Sequence, residues 1–260
     1  SSVQAAGRSI DHLSPIDAAM DEDYWATIQQ SFAVSHGLIN LNNGGVSPSP
    51  RMVTEAFVRY TWQQEEATAY TMWQLLEPQS ETIRTGLAEI FGCSPEEIAI
   101  TRNASESLEI LLMGMDFNSG DEILTTTQDY PRMLTTLKQR ELREGLRLNL
   151  IKIPVAPSNV NDIAAAFERA VTPKTKLILV SHQINLTGQI NPVKKVCDMA
   201  RSKGIETIVD GAHSFAQFDF KRDDLGCDYF GTSLHKWIYA PKGTGMLYVR
   251  KEKISKIWAL

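Results

Sequence analysis

The chain has 260 residues, 43% of them apolar and 22% charged, with a formal net charge of −5. That length suffices for one sizeable core and is ordinary for a large α/β domain. The acidic balance, with no long basic run, excludes a nucleic-acid-binding protein, and no stretch approaches the ~20 apolar residues of a membrane span.

Residues 1–40 read as a polar arm with a short helix near 21–32. The opening Ser1-Ser2-Val3-Gln4 lacks an initiator Met, which leaves room for a removed tag or export signal beside the default expectation of a cytoplasmic protein. Leu41-Asn42-Asn43-Gly44-Gly45 marks a tight turn, because Asn and Gly readily take positive φ. Helices are predicted at about 50–67 and 80–92; in the second, Ile83, Leu87, Ile90 and Phe91 share one face and Gly92 ends it.

From there β and α alternate. Strands are predicted at 98–101, 122–127, 146–153, 176–182, 206–209, 229–232 and 245–250, and helices at 106–115, 131–144, 161–171 and 192–203. This pattern predicts a three-layer α/β/α fold on a mainly parallel seven-stranded sheet. The last two strands are joined without a full crossover helix, so one edge strand is expected to be antiparallel.

The chemistry-bearing residues fall at successive strand ends. Thr101-Arg102-Asn103-Ala104-Ser105-Glu106 is a strand-to-helix junction in which Ser105 reads as the N-cap and the first-turn amides favour an anion such as a phosphate. Asp129-Tyr130-Pro131 offers an aromatic ring for stacking on a planar group, and Asn185 an amide donor. Asp210, in Val209-Asp210-Gly211-Ala212-His213, ends an apolar run and as a buried acid needs a cationic partner. Lys236 ends Thr232-Ser233-Leu234-His235-Lys236. Taken singly, Ser105 is a plain cap, Tyr130 a packing residue, Asn185 a turn residue, His213 a core histidine and Lys236 a surface lysine.

Together and in this order they match the needs of pyridoxal 5'-phosphate (PLP). A lysine amine forms a Schiff base with its aldehyde, and a carboxylate keeps its ring nitrogen protonated so that the ring acts as an electron sink. Gly243-Thr244-Gly245 has no helix after it and supports no dinucleotide site. Cys93, Cys197 and Cys227 form no CxxC pair and read as ordinary thiols, and no His/Cys cluster has zinc spacing, so no metal is expected.

These motifs, with Gly243-Thr244-Gly245-Met246-Leu247-Tyr248-Val249 after them, resemble the class V aminotransferase family of fold-type I PLP enzymes over about residues 40–260. The turn at Leu41–Gly45 and the Gly120-Asp121-Glu122-Ile123-Leu124 stretch resemble its isopenicillin N epimerase-like branch. The resemblance implies that Lys236 carries the cofactor and Asp210 pairs with its ring nitrogen. It implies that Ala104, Ser105, Ser233 and His235 hold the phosphate. Tyr130 stands where many relatives have a stacking His, Asn185 and His213 lie near the phenolic oxygen, and His213 replaces the Gln of the desulfurase branch. Asn43 and Gly44 are expected to touch substrate.

The implied organisation is an arm at 1–40, a PLP-binding large domain at 41–250, and at 251–260 the start of a connection to a small C-terminal domain that the chain lacks. In the family that domain supplies the arginine for the substrate carboxylate. The implied activity is Cα carbanion chemistry on an amino acid in a homodimer, epimerase- or aminotransferase-like. A C–S lyase or cysteine desulfurase, and a non-catalytic binding protein on the same fold, are the alternatives.

Overall fold

Strands and helices alternate from residue 98 onward in a computed structural model that describes residues 2–35 and 37–258. The strands are β1 (Ile98–Thr101), β2 (Glu122–Thr126), β3 (Arg147–Ile151), β4 (Thr175–Ser181), β5 (Glu206–Asp210), β6 (Tyr229–Ser233) and β7 (Gly245–Val249). They form one sheet in the order β1-β7-β6-β5-β4-β2-β3. β2, β3, β4, β5 and β6 pair in parallel, whereas β7 runs antiparallel to both β6 and β1.

An antiparallel strand was expected at an edge, and this is a correction: β7 lies inside the sheet and β1 takes the edge. The short β6–β7 connection returns the chain beside β6, and β1 then closes against β7's far side.

The helices are α1 (Ser2–Ile10), α2 (Pro15–Ala19), α3 (Glu22–Gln30), α4 (Arg51–Glu66), α5 (Thr68–Tyr70), α6 (Glu77–Phe91), α7 (Ala104–Gly114), α8 (Pro131–Glu144), α9 (Asn161–Ala170), α10 (Val193–Ser202) and α11 (Arg222–Leu225). The arm thus holds three helices rather than one, and the third begins one residue late because Asp21 caps it, accepting the Tyr24 amide at 2.8 Å. A π-helical turn, Thr71–Leu76, joins α5 to α6.

β2, β6 and β7 are buried along their whole length, as strands covered on both faces must be. Alternate residues of β4 point to opposite layers. Ile178 and Val180 pack with Phe91, Phe167 and Val196 of α6, α9 and α10, while Leu177 and Leu179 pack with Leu108, Leu111, Met133 and Leu137 of α7 and α8. Phe91 is fully buried against Phe230 and Tyr248 at ring-centroid distances of 4.6 and 5.2 Å; trimming it to Ala costs about 3–5 kcal/mol. The α6 face is narrower than expected: Leu87, Ala88 and Phe91 are buried, but Ile83 and Ile90 are exposed.

The segment read as a connection, 251–260, starts as the 3-10 helix Lys251–Lys256, and Ala259 and Leu260 lie outside the described residues. Among the described residues no helix is long and apolar enough to cross a membrane.

Candidate active site

The carboxyl ends of β1, β2, β4, β5 and β6 surround a cleft with a cavity volume of about 180 Å³. Open α/β sheets bind ligands on this side, because the loops leaving the strands diverge there and helix N-termini point inward. Ala104, Ser105, Tyr130, Asn185, Asp210, His213, Ser233, His235 and Lys236 all line it. Of the expected substrate contacts, Gly44 abuts the site: a Cβ placed there would lie 3.3 Å from Trp237 and 3.7 Å from His213. Asn43 is exposed and accepts a hydrogen bond from the Asn40 side chain at 2.7 Å, and Gly45 rather than Asn43 lines the cleft.

At the end of β1 the cap differs from expectation. Asn103, not Ser105, is the N-cap of α7: its side-chain oxygen accepts the Glu106 amide at 2.8 Å. Glu106 in turn accepts the Arg102 amide at 2.5 Å and its guanidinium at 2.6 Å, so the turn is braced from both sides. Ser105 becomes the second helical residue, whose amide has no carbonyl one turn back to bond. The Ala104 amide is already spent on Ser233 Oγ at 2.9 Å, which leaves the Ser233 hydroxyl proton free to donate elsewhere. Gly245, paired with both Thr101 and Ser233, passes directly beneath: a Cβ there would sit 2.6 Å from Thr101 Oγ1 and 2.7 Å from the Asn103 backbone.

Asp210 is buried, and one of its carboxyl oxygens accepts the Ala212 amide at 2.9 Å. Burial raises its pKa to about 6; the Asp129 charge adds to the rise, while the Ala212 amide and Lys236 oppose it. Lys236 Nζ lies 3.1 Å from His213 Nε2. Burial pulls the Lys236 amine below its usual pKa, with Asp210 opposing. Burial, then Lys236, depress His213 to about 4, so its imidazole is neutral at pH 7. His235 Nδ1 faces the Thr244 carbonyl at 3.1 Å, and burial lowers its pKa as well. The cleft thus holds a half-buried amine, a neutral imidazole and a buried carboxylate that, among the described residues, makes no ion pair.

Asp129, the residue before Tyr130, anchors the turn between β2 and α8. Buried, it accepts from the Thr125 hydroxyl at 2.6 Å, the Thr126 amide at 2.9 Å, the Thr126 hydroxyl at 2.8 Å, and the Ser181 amide and hydroxyl at 3.1 and 2.6 Å. It therefore locks the Tyr130 turn to the end of β4. Gln183 and Arg132 also line the cleft, and sequence reasoning missed both. The available signal was their place, within two residues of a strand end or of Tyr130.

A family model for aminotransferase class-V matches residues 39–260. The chain belongs to the aminotransferase class-V family. It is similar to an isopenicillin N epimerase of Streptomyces clavuligerus, at 30% identity over 90% of this chain and 58% of that one. It is similar to a probable cysteine desulfurase of Synechocystis, at 28% identity over 87% of this chain and 56% of the other. Among solved structures, a C-DES mutant with glycine covalently linked to its PLP cofactor superposes with a TM-score of 0.75 at 26% identity, over 83% of this chain and 57% of that one. The class-V chain described here therefore spans a little over half the length of the relatives it matches.

Proposed function

We propose that this class-V chain is the cofactor-binding part of a PLP enzyme that moves the Cα proton of an amino-acid substrate, as an epimerase or aminotransferase does. The observation that carries the reading is Lys236 and Asp210 converging on one cleft beside the free amide of Ser105. The residues fit the cofactor: a buried carboxylate held up near 6 lacks the cation that a protonated pyridine provides. When bound, PLP supplies an aldehyde for an amine and a ring that takes up the electron pair released at Cα.

The remaining work belongs to the chain. Lys236 would hold the cofactor, and its amine, whose pKa burial lowers, would accept the Cα proton. His213, neutral and 3.1 Å away, shares or relays that proton. Asp210 would pair with the ring nitrogen. Ser105, Ser233 and His235 would hold the phosphate with Ala104 orienting Ser233, Tyr130 would stack on the ring, and Asn185 would lie near the phenolic oxygen. Gly44 lines the substrate approach, with Asn43 bracing that turn through Asn40. A C–S lyase or desulfurase reading shares these residues and is favoured by the desulfurase relative.

A homodimer is supported by the exposed Phe57, Trp62, Tyr70 and Trp73 on and after α4, and light scattering on the full-length protein tests it. A cytoplasmic location is proposed with it, to be checked by fractionation.

Loaded full-length protein is expected to absorb in the visible, and borohydride reduction to leave the cofactor's mass on the Lys236 peptide. Lys236→Ala removes both and lowers turnover by at least about 1,000-fold. A colourless protein that takes up no added PLP refutes the reading.

A further inference from the structure

Three residues with formal charges line the cleft: Asp210, Lys236 and Arg132. The first two are used by the reading above; Arg132 is not. It is exposed, at the second position of α8, immediately after Tyr130 and Pro131. Among the described residues it makes no ion pair, in contrast to Arg140 on the same helix, which is bound to Glu144.

The helix end beneath it is also unanswered. Tyr130, the N-cap of α8, offers no side-chain cap, Pro131 has no N–H, and the first turn carries no acidic residue. The first turn of α7 differs in both respects: Asn103 caps it and Glu106 supplies an acid. The carboxylate nearest this helix end, Asp129, has both oxygens engaged by Thr125, Thr126 and Ser181, so the Arg132 guanidinium lines the cleft with no carboxylate of its own.

We propose that Arg132, with the open N-terminus of α8, binds a second anionic group of the substrate, and that the substrate class is amino acids with a carboxylate-bearing side chain. This rests on the reading of the cleft as a PLP site for an amino acid. Guanidinium and carboxylate match in planar, two-point geometry, and a neutral amide in the same place leaves one acceptor site unmet. The same chemistry would serve the cofactor's phosphate, so the test separates the two sources.

The experiment uses PLP-loaded full-length enzyme as wild type, Arg132→Gln and Arg132→Lys. L-aspartate, L-glutamate and its one-carbon-longer homologue are titrated against L-asparagine, L-glutamine and L-norleucine. Binding is read from the change in visible absorbance of the bound cofactor, and PLP affinity separately from fluorescence quenching. Expected is a preference of about 10- to 100-fold for at least one diacid over its neutral counterpart in wild type. The Gln variant loses that preference, the Lys variant keeps part of it, and PLP affinity is unchanged in both. Loaded wild type without a diacid preference, or a Gln variant that keeps it, overturns the assignment. So does an Arg132→Gln loss of PLP affinity with equal weakening for acid and amide, which assigns Arg132 to the phosphate. Failure of the wild type to take up PLP overturns the functional reading and this assignment together, a result distinct from the others.

Discussion

Glu206 opens β5 and Asp210 closes it, and the two carboxyl groups are treated in opposite ways. Glu206, at the amino end of the sheet, receives Lys253 at 2.5 Å, Tyr229 at 2.7 Å and Lys256 at 3.1 Å. Burial pushes its pKa up, but these three partners outweigh burial and hold it below the ordinary value. Asp210, at the carboxyl end, has one backbone amide and a pKa near 6. An acid that the chain itself satisfies stabilises the fold; an acid left short of a cation is set up for a guest. The same contrast separates the two rims: at the amino end Glu206 is paired with the chain's own lysines, while the carboxyl-end rim keeps an amine, a carboxylate and a free helix amide facing a cleft.

The strongest way to break this comparison, after removal of Lys236, is Asp210→Asn. Folded Asp210 keeps its proton to about 6 against an ordinary 3.8, so between those values the folded chain binds more protons than the unfolded one and stability falls as pH rises. The unfavourable contribution is fully present above about pH 6 and absent below the unfolded value. Asp210→Asn is therefore expected to stabilise the cofactor-free chain by about 2–3 kcal/mol at pH 8, with the difference vanishing near pH 3.5, in urea unfolding. The same variant should lower turnover of the loaded full-length enzyme by about 100-fold or more, the scale of a lost positioned proton-holding group. Unchanged turnover would remove Asp210 from the pyridine nitrogen.

A smaller effect is expected from Gly245→Ala. The added methyl must displace Thr101 Oγ1 or the Asn103 backbone, and so is expected to weaken PLP uptake by about 10-fold. Binding of pyridoxal without its phosphate should be little changed; equal loss for both forms would show a general collapse of the cleft. Asn103→Ala removes the α7 cap and should cost about 1 kcal/mol in chemical denaturation. Glu206→Gln is the mirror test at the other rim. Because its lysine partners are partly solvated, it should cost about 1 kcal/mol of stability and leave PLP uptake unaltered.

Much of the fold was legible because the apolar runs are short, the helices between them are amphipathic, and Gly or Pro punctuates the joins. Predicted strand limits lie within two residues of those observed, and β5 and β6 run one residue further than predicted, to Asp210 and Ser233 themselves. The place of β7 was not legible, since pairing order depends on which strand edge remains open once the others have packed. The choice of Asn103 over Ser105 as cap was hidden for another reason: both residue types cap well, and the choice turns on the Arg102–Glu106 brace. Nine proposed site residues reach the cleft because strand ends converge whatever the loop lengths. Asp129 and Arg132 were missed because a sequence places a residue beside Tyr130 without saying which way its side chain turns.

The interior position of β7 sets the order in which the molecule is completed. Ile98 of β1 pairs with Tyr248, and Thr101 with Gly245, so the strand carrying the α7 cap stays unpaired until the chain has been made almost to its last described residues. A nascent chain halted before Gly245 has the lysine, the carboxylate and the Ala104–Ser233 hydrogen bond, but lacks the strand that pairs with β1 beneath the turn at Asn103. On the proposed reading of this turn as the phosphate site, the site lies on the longest-range strand pairing of the sheet, the last to become available as the chain is made.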